Sequence, residues 1–250
     1  MNRIILIILG IVLISNVQSS PDKDFTIANN LYKKAEFSNA LNYYKSIESS
    51  GFESEDLYKN MGNCYYKLDK MEMAILYYEK GLKLNPSNED LEYNLKLCNT
   101  KIIDKIESVP EFILIIWWKN WCNYLSNTQW VIINLILFGL LLLSIGVFIL
   151  SKSYTVKKIW FIIALFFVIS TTLTGFTAYQ SYLKKNNQNT AIIITPSIDI
   201  KSSPDSKSKT IFILHKGTKI TITDKLNEWF EIKIANGSKG WVTNNSFLRI

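Results

Sequence analysis

The chain has 250 residues, with 28 Lys and Arg against 21 Asp and Glu and a formal net charge of +7. This length suits one or two domains. The only arginines, Arg3 and Arg249, argue against a nucleic-acid-binding protein, because such proteins rely on arginine to contact base edges and phosphates. One histidine, His215, and three cysteines at spacings that match no metal signature argue against a metal site and a histidine-based catalytic triad. Cys64 and Cys98 fall in predicted helices and are expected to pack as small apolar residues, with one disulfide as the alternative. We therefore expect no enzymatic activity, no cofactor and no metal.

The N-terminus has the pattern of an export signal. Arg3 provides a positive start, the run from Ile4 to Ile14 is apolar, and Val17-Gln18-Ser19 fits a small-residue cleavage site. Residues 1–20 are therefore predicted to be a signal peptide, and an uncleaved anchor is the alternative. Either form places the following region outside the cytoplasm.

Residues 21–109 contain two stretches that superpose at a spacing of 34 residues. Three pairs align at this spacing: Ala28 with Gly62, Ala40 with Ala74, and Tyr44 with Tyr78. The second copy also carries Tyr58, Met61, Tyr65 and Pro86 at positions where it resembles a tetratricopeptide (TPR) repeat. We predict repeats over 21–54 and 55–88, followed by a capping helix over 89–106. Such repeats bind other proteins.

The first helix of each TPR repeat lines a concave groove, and this face is the candidate protein-binding site. Its residues are Asn29, Tyr32, Lys33, Lys59, Asn63, Tyr66 and Lys67. Lys59 and Asn63 have the four-residue spacing with which carboxylate clamps hold a peptide C-terminus, and Lys101 is the basic residue that a third repeat would add. The alternative is that Asn63 is a consensus residue and the lysines are solvated.

Two segments are long and apolar enough to cross a bilayer. Residues 130–150 are uncharged over 21 positions and residues 159–183 over 25. With the exported N-terminal region, they predict a cytoplasmic loop over 151–158 and an exported C-terminus. Small residues that allow close helix approach are Gly139 and Gly146 on the first span and Ser170, Thr174 and Ala178 on the second.

The segment before the spans, residues 110–126, is rich in tryptophan. Trp117, Trp118 and Trp121 favour a short helix in the membrane interface, because tryptophan prefers the headgroup layer. Ser108 and Glu111 fit a capping box at its start.

Residues 190–250 alternate as six short strands separated by turns, and Asn236-Gly237 predicts a tight hairpin. The strings Ile198-Asp-Ile-Lys-Ser-Ser-Pro204 and Gly237-Ser-Lys-Gly240-Trp241-Val closely resemble a bacterial SH3 (SH3b) domain. Phe230, Ile232 and Ile234 should form its core. The opposite face of that strand, Trp229, Glu231 and Lys233, is the candidate ligand face for peptide or glycan, or else packs beneath a loop.

The order of segments resembles the BatE proteins of the Bacteroides aerotolerance (Bat) operon. The resemblance rests on the ordered set of modules and on the string from Ala74 through Pro86 to Asp90. The fold class is thus a multidomain membrane protein with an all-α TPR solenoid, two transmembrane helices and a small all-β SH3b-like barrel. The resemblance implies an inner-membrane adaptor or scaffold, with both soluble modules on the extracytoplasmic side and other Bat-type membrane proteins as partners. The alternative is a cell-wall protein that binds peptidoglycan through the SH3b domain; no nucleic acid is expected as a ligand.

Overall fold

The computed structural model describes residues 21–186 and 189–250; the predicted signal peptide, residues 1–20, lies outside this range. Within it the chain forms eight α-helices and a seven-stranded sheet, in two compact units divided between Glu53 and Ser54. The helices are α1 Pro21–Lys33, α2 Phe37–Ser49, α3 Glu55–Lys67, α4 Met71–Leu84, α5 Glu89–Asn99, α6 Ile113–Asn123, α7 Asn127–Leu150 and α8 Tyr154–Asn186. The strands are β1 Thr190–Ile193, β2 Ser197–Lys201, β3 Thr210–His215, β4 Lys219–Leu226, β5 Trp229–Lys233, β6 Lys239–Thr243 and β7 Phe247–Arg249.

The same internal geometry recurs 34 residues apart in the two helical hairpins. In the first unit, the Tyr44 hydroxyl donates to Asn29 Oδ1 over 2.7 Å; in the second, the Tyr78 hydroxyl donates to Asn63 Oδ1 over 2.7 Å. The turns between the paired helices also match, since Ala35 and Asp69 have φ of 62° and 58°. The sequence period therefore reports a repeated structural unit.

Small residues let α3 and α4 cross closely. A Cβ on Gly62 would lie 2.4 Å from the Tyr78 ring, and Ala74 is fully buried. Cys64 and Cys98 are buried free thiols, which confirms their packing role and excludes the disulfide alternative. Burial raises the pKa of Cys64 to about 12 and that of Cys98 to about 11, so both remain protonated and apolar at neutral pH.

The capping helix is shorter than predicted. Helix α5 ends at Asn99 and not at residue 106, and the next helix starts at Ile113. The linker between them, residues 100–112, leaves the helical region and packs on the C-terminal sheet. The predicted capping box at Ser108 is also absent, because α6 has no side-chain cap and Glu111 pairs with Lys119.

Helices α7 and α8 form an antiparallel hairpin, and both are long and apolar enough to cross a membrane. A capping box between Ser126 and Gln129 starts α7. The small-residue face on α8 is confirmed, since Thr174 and Ala178 are buried within the hairpin.

The glycine half of the predicted helix contact is wrong. A Cβ on Gly139 or Gly146 would meet nothing within 4 Å. Asn134 makes the close contact on α7 instead, and its Nδ2 donates to the Thr171 carbonyl over 2.8 Å and to Thr174 Oγ1 over 2.9 Å. An amide inside an apolar hairpin satisfies its donors across the helix interface.

Residues 189–250, here called the β domain, form an antiparallel sheet in the order β3-β2-β6-β5-β4-β1-β7. The sequence predicts six strands, and the structure adds a seventh, β7, which pairs with β1 and forms one edge of the sheet. The hairpin at Asn236-Gly237 is confirmed, with the Ile234 amide donating to the Ser238 carbonyl over 3.0 Å. Phe230, Ile232 and Ile234 belong to the buried core as predicted.

Candidate functional site

The predicted groove residues of α3 are partly used to hold the second repeat together. Lys59 pairs with Asp56 at 3.0 Å and with Asp90 of α5 at 3.6 Å. The hydrogen bond to Asp56 raises the pKa of Lys59 above its usual range, against the opposing effect of burial. Lys59 is therefore a cationic tie between α3 and α5.

Asn63 joins three helices. Its Oδ1 accepts from the Tyr78 hydroxyl of α4 at 2.7 Å and from Asn94 Nδ2 of α5 at 3.1 Å. A peptide carboxylate is an acceptor and would bind the Nδ2 donors of Asn63, so the occupied Oδ1 does not exclude the clamp. The clamp and the consensus interpretation of Asn63 therefore both stay predictions.

Tyr66 and Lys101 form a second pair on this surface. Lys101 Nζ donates to the Tyr66 hydroxyl over 2.8 Å and lies 4.3 Å from the centre of its ring. Lys67 is exposed on the last turn of α3. Tyr66 is half-buried, so its ring and the Lys101 ammonium are presented together.

The face continues onto α5 with two residues that the sequence analysis missed. Tyr93 and Leu97 lie 34 residues after Lys59 and Asn63, and their exposed fractions are 68 % and 36 %. Applying the 34-residue period once more, from Lys59 and Asn63 to α5, would have identified both residues. We call Tyr66, Lys101, Tyr93 and Leu97 the repeat face; it is apolar and basic.

The three remaining groove residues belong to the first unit. Asn29 accepts the Tyr44 hydroxyl, as Asn63 accepts that of Tyr78. The Tyr32 ring packs edge-on against Phe37 with centres 5.2 Å apart. Lys33 is exposed at the end of α1.

On the β domain, the predicted ligand face is partly exposed. Trp229 and Glu231 are half-buried and Lys233 is exposed. Glu231 accepts from Thr223 and from Lys239 Nζ, and the Thr223 hydrogen bond, with that of Lys239, lowers its pKa below the usual range. The carboxylate is therefore ionised at neutral pH.

A second tryptophan lies on the same side of the sheet. Trp241 of β6 is directly opposite Glu231 of β5, and Trp229 is opposite Thr243. Since alternate residues share a face, Trp229 and Trp241 are diagonal neighbours there. Sequence reasoning missed Trp241 because it took one strand at a time.

The linker fixes the β domain to the second repeat through Asp104. Its Oδ2 accepts from the His215 amide at 2.7 Å and from Thr218 Oγ1 at 2.6 Å, and its Oδ1 lies 2.7 Å from His215 Nδ1. Burial opposes ionisation of Asp104, but the hydrogen bonds from Thr218 and His215 outweigh it and lower the pKa below the usual range. An ionised carboxylate only accepts, so His215 Nδ1 carries the proton in this contact.

Further contacts join the β domain to α4 and the linker. Lys219 pairs with Glu79 of α4 at 2.6 Å. Ile106 packs on the β-domain core, and the Val109 amide donates to the Ala235 carbonyl over 3.2 Å. The β domain is thus seated on the second repeat.

Two family matches agree with these modules. Residues 55–88, which form α3 and α4, match the tetratricopeptide repeat family. Residues 196–249 match the bacterial SH3 domain family. No curated protein matches the chain. The first match indicates protein–protein interaction, and the second indicates cell-wall binding and an extracytoplasmic domain.

Proposed function

We propose that this protein is a non-enzymatic, membrane-anchored adaptor that binds partner proteins through its repeat groove on the extracytoplasmic side of the inner membrane. Its resemblance to BatE proteins supports a place in a Bat-type envelope complex linked to aerotolerance or stress. The observation that carries the proposal is the repeat face. There, Tyr93 and Leu97 of α5 are exposed one repeat period after Lys59 and Asn63 of α3, and Lys101 holds the Tyr66 hydroxyl.

The composition of the repeat face suits a protein ligand. Aromatic and basic side chains next to an aliphatic one are typical of interface centres, where they supply buried area at a low entropy cost. Because Lys59 is already paired with Asp56 and Asp90, whose carboxylates compete with an incoming one, recognition of a bare C-terminal carboxylate is not the expected mode. An internal segment with an apolar anchor side chain fits this face better.

The α7–α8 hairpin supports the anchoring role. Its turn carries Lys152, and Lys157 and Lys158 follow at the start of α8. Three lysines also flank the hairpin on its other side, Lys119, Lys184 and Lys185, so charge alone does not orient it. The predicted export signal decides the orientation and leaves both soluble modules outside. Reporter fusions at Leu97, Ser153 and Ile250 are expected to show only the middle position inside the cytoplasm, and an inside signal at Ile250 would contradict this arrangement.

Peptidoglycan binding by the β domain is the second candidate. It is favoured by Trp229 and Trp241, which are diagonal neighbours on one side of the sheet, because flat aromatic faces stack on sugar rings as well as on peptides. This role is compatible with an adaptor whose two contacts reinforce each other through effective concentration.

One experiment separates the two surfaces. Tagged full-length protein is crosslinked in native membranes, and the captured proteins are identified and then titrated against three variants. Tyr93→Ala with Leu97→Ala should weaken protein capture by about tenfold or more, since buried aromatic anchors dominate interfaces. Trp229→Ala should leave protein capture largely intact and reduce sedimentation with purified peptidoglycan.

Lys96→Ala is the matched control, because Lys96 lies on the same helix, is exposed and pairs across one turn with Glu92. If capture is lost with Trp229→Ala and unchanged with the α5 double variant, the repeat face is not the adaptor surface.

A further inference from the structure

A cavity of about 360 Å³ lies within the second unit where the repeat, α6, the end of α8 and the β domain meet. Three lysines from three different elements line it: Lys83 of α4, Lys184 of α8 and Lys219 of β4. Leu82, Pro86 and Leu95 provide an apolar wall. Cavities at domain junctions that combine an apolar wall with converging polar groups are common ligand sites.

The cavity lining contains more lysines than acidic side chains, three against two. Glu79 pairs with Lys219 at 2.6 Å, and the other acid in the lining, Glu92, pairs at 2.7 Å with Lys96, which does not line the cavity. Lys184 Nζ donates to a neutral amide, Asn123 Oδ1, over 2.7 Å. Within the described residues Lys184 forms no ion pair with a carboxylate, although Glu79, the partner of Lys219, lies close enough to act on its charge. An anion entering the cavity would supply the missing counter-charge.

Contacts between α6 and α8 define the position of the cavity relative to the expected membrane interface. Trp121 Nε1 of α6 donates to Thr177 Oγ1 over 3.2 Å, and the Trp118 ring lies 5.6 Å from that of Phe176. Tryptophans prefer the membrane interface, so this level marks the outer edge of the hydrocarbon layer. Lys184 follows Thr177 by seven residues, about 10 Å at 1.5 Å per residue. That distance reaches the headgroup layer.

The outward side of α6 supports this placement. Trp117 is 67 % exposed and Leu114 is 60 % exposed on a helix that contacts α8. Apolar side chains exposed beside a membrane helix are expected to face lipid. The part of the cavity lined by Asn123, the last residue of α6, is therefore expected close to the lipid surface.

We propose that the lysine-lined cavity binds the phosphate headgroup of an anionic phospholipid from the outer leaflet, with Lys184 and Lys219 as the charged contacts and Leu82 and Leu95 along the glycerol region. This site rests on the membrane insertion proposed above. It would couple the seat of the β domain on the repeat to the lipid surface, because Lys219 also pairs with Glu79 across that junction.

The test uses the full chain in nanodiscs of phosphatidylcholine alone or mixed with phosphatidylglycerol. Retained lipid is identified by native mass spectrometry, and thermal midpoints are measured in parallel. Lys184→Gln should reduce the preference for phosphatidylglycerol about fivefold, the effect of removing one lysine near an anionic surface. Lys185→Gln is the matched control, since Lys185 is its exposed neighbour and does not line the cavity.

A variant that is expected to increase lipid retention distinguishes loss of binding from misfolding. Glu79→Gln removes the acid that competes for Lys219 and should increase phosphatidylglycerol retention, which a purely structural role would not do. Equal loss in Lys184→Gln and Lys185→Gln, or no gain in Glu79→Gln, would overturn the headgroup site while leaving the adaptor function intact. Stabilisation by inorganic phosphate in phosphatidylcholine discs, without a phosphatidylglycerol preference, would identify a soluble anion and refute the lipid. Failure of the chain to enter any disc would overturn the membrane insertion and this site together.

Discussion

Asp104 should control how tightly the β domain is held on the second repeat. Its carboxylate accepts from the His215 amide, His215 Nδ1 and Thr218 Oγ1 at 2.6–2.7 Å, and its side chain is only 12 % exposed. Asp104→Ala removes both acceptor oxygens and with them all three hydrogen bonds. The His215 amide and the buried Thr218 hydroxyl then lose their partner and must find water or stay unsatisfied.

The expected cost follows from these contacts. A hydrogen bond to a charged group contributes about 1.5–3 kcal/mol, and a buried donor left unsatisfied costs about 1–3 kcal/mol. These terms overlap, because the freed groups lie at the edge of the domain and can recruit solvent. We expect Asp104→Ala to weaken the attachment of the β domain by about 2–4 kcal/mol, which raises the population of the separated β domain by roughly 30-fold to nearly 1,000-fold.

Hydrogen exchange measured by mass spectrometry on the full chain in nanodiscs would check this value. The reporting amide is Val109, which donates to the Ala235 carbonyl only while the linker lies on the β domain. Its exchange should accelerate by the stated factor in Asp104→Ala, while the strands of the β-domain core remain protected.

Glu107→Ala is the matched control, because Glu107 is an exposed acid of the same linker. Equal exchange at Val109 in the two variants would show that Asp104 does not hold the domain. Loss of protection throughout β4 and β5 would show instead that Asp104 is needed for folding of the β domain itself.

Three further predictions concern pH, the repeat and the hairpin. The pKa of Asp104 in the folded protein lies below its ordinary value of 3.8. The stabilisation from its ionised form is therefore complete above pH 3.8 and is lost as the pH falls through the folded pKa. The difference in Val109 exchange between the wild type and Asp104→Asn should shrink over the same acidic range. Ala74→Arg should lower the thermal midpoint of the full chain measured by circular dichroism, because a buried unpaired charge costs several kcal/mol, and an unchanged midpoint would contradict the helix crossing. Asn134→Leu should loosen the α7–α8 hairpin by about 0.6–2 kcal/mol, seen as slower cysteine crosslinking between the two helices, whereas Leu135→Ala on the outward side should not; equal rates would remove Asn134 from the helix contact.

Local patterns in the sequence predicted most elements of this protein. The 34-residue period led to the paired helices, because each repeat satisfies the same short-range constraints: a left-handed residue in the turn and a tyrosine bonded to an asparagine 15 positions earlier. The uncharged segments led to the two long helices, and the alternation after residue 190 led to the strands. These features depend on residues close in sequence and can therefore be recognised without knowledge of the fold.

The candidate sites were less accessible to this reasoning. Lys59 and Asn63 have the right spacing for a clamp, but the ion pair of Lys59 with Asp90 and the hydrogen bond from Asn94 to Asn63 Oδ1 come from another helix. Trp241 joins Trp229 only through the pairing of β5 with β6. Exposure is a property of the assembled surface, and a single segment does not specify it.

By itself, the sequence determined the modules and their order: repeat helices, a tryptophan-rich helix, two apolar helices and a small antiparallel domain. Only the tertiary structure decided how the modules of the second unit are joined. Asp104 and His215 are 111 residues apart, and Lys83 reaches the Ile250 carbonyl across 167. Such contacts produce no periodic pattern in the sequence. Each is a single hydrogen bond between residues far apart in the chain, and local propensities carry no information about it. For the same reason Gly139 and Gly146 suggested a helix contact that Asn134 makes instead: composition shows which residues can approach closely, and packing selects which of them do.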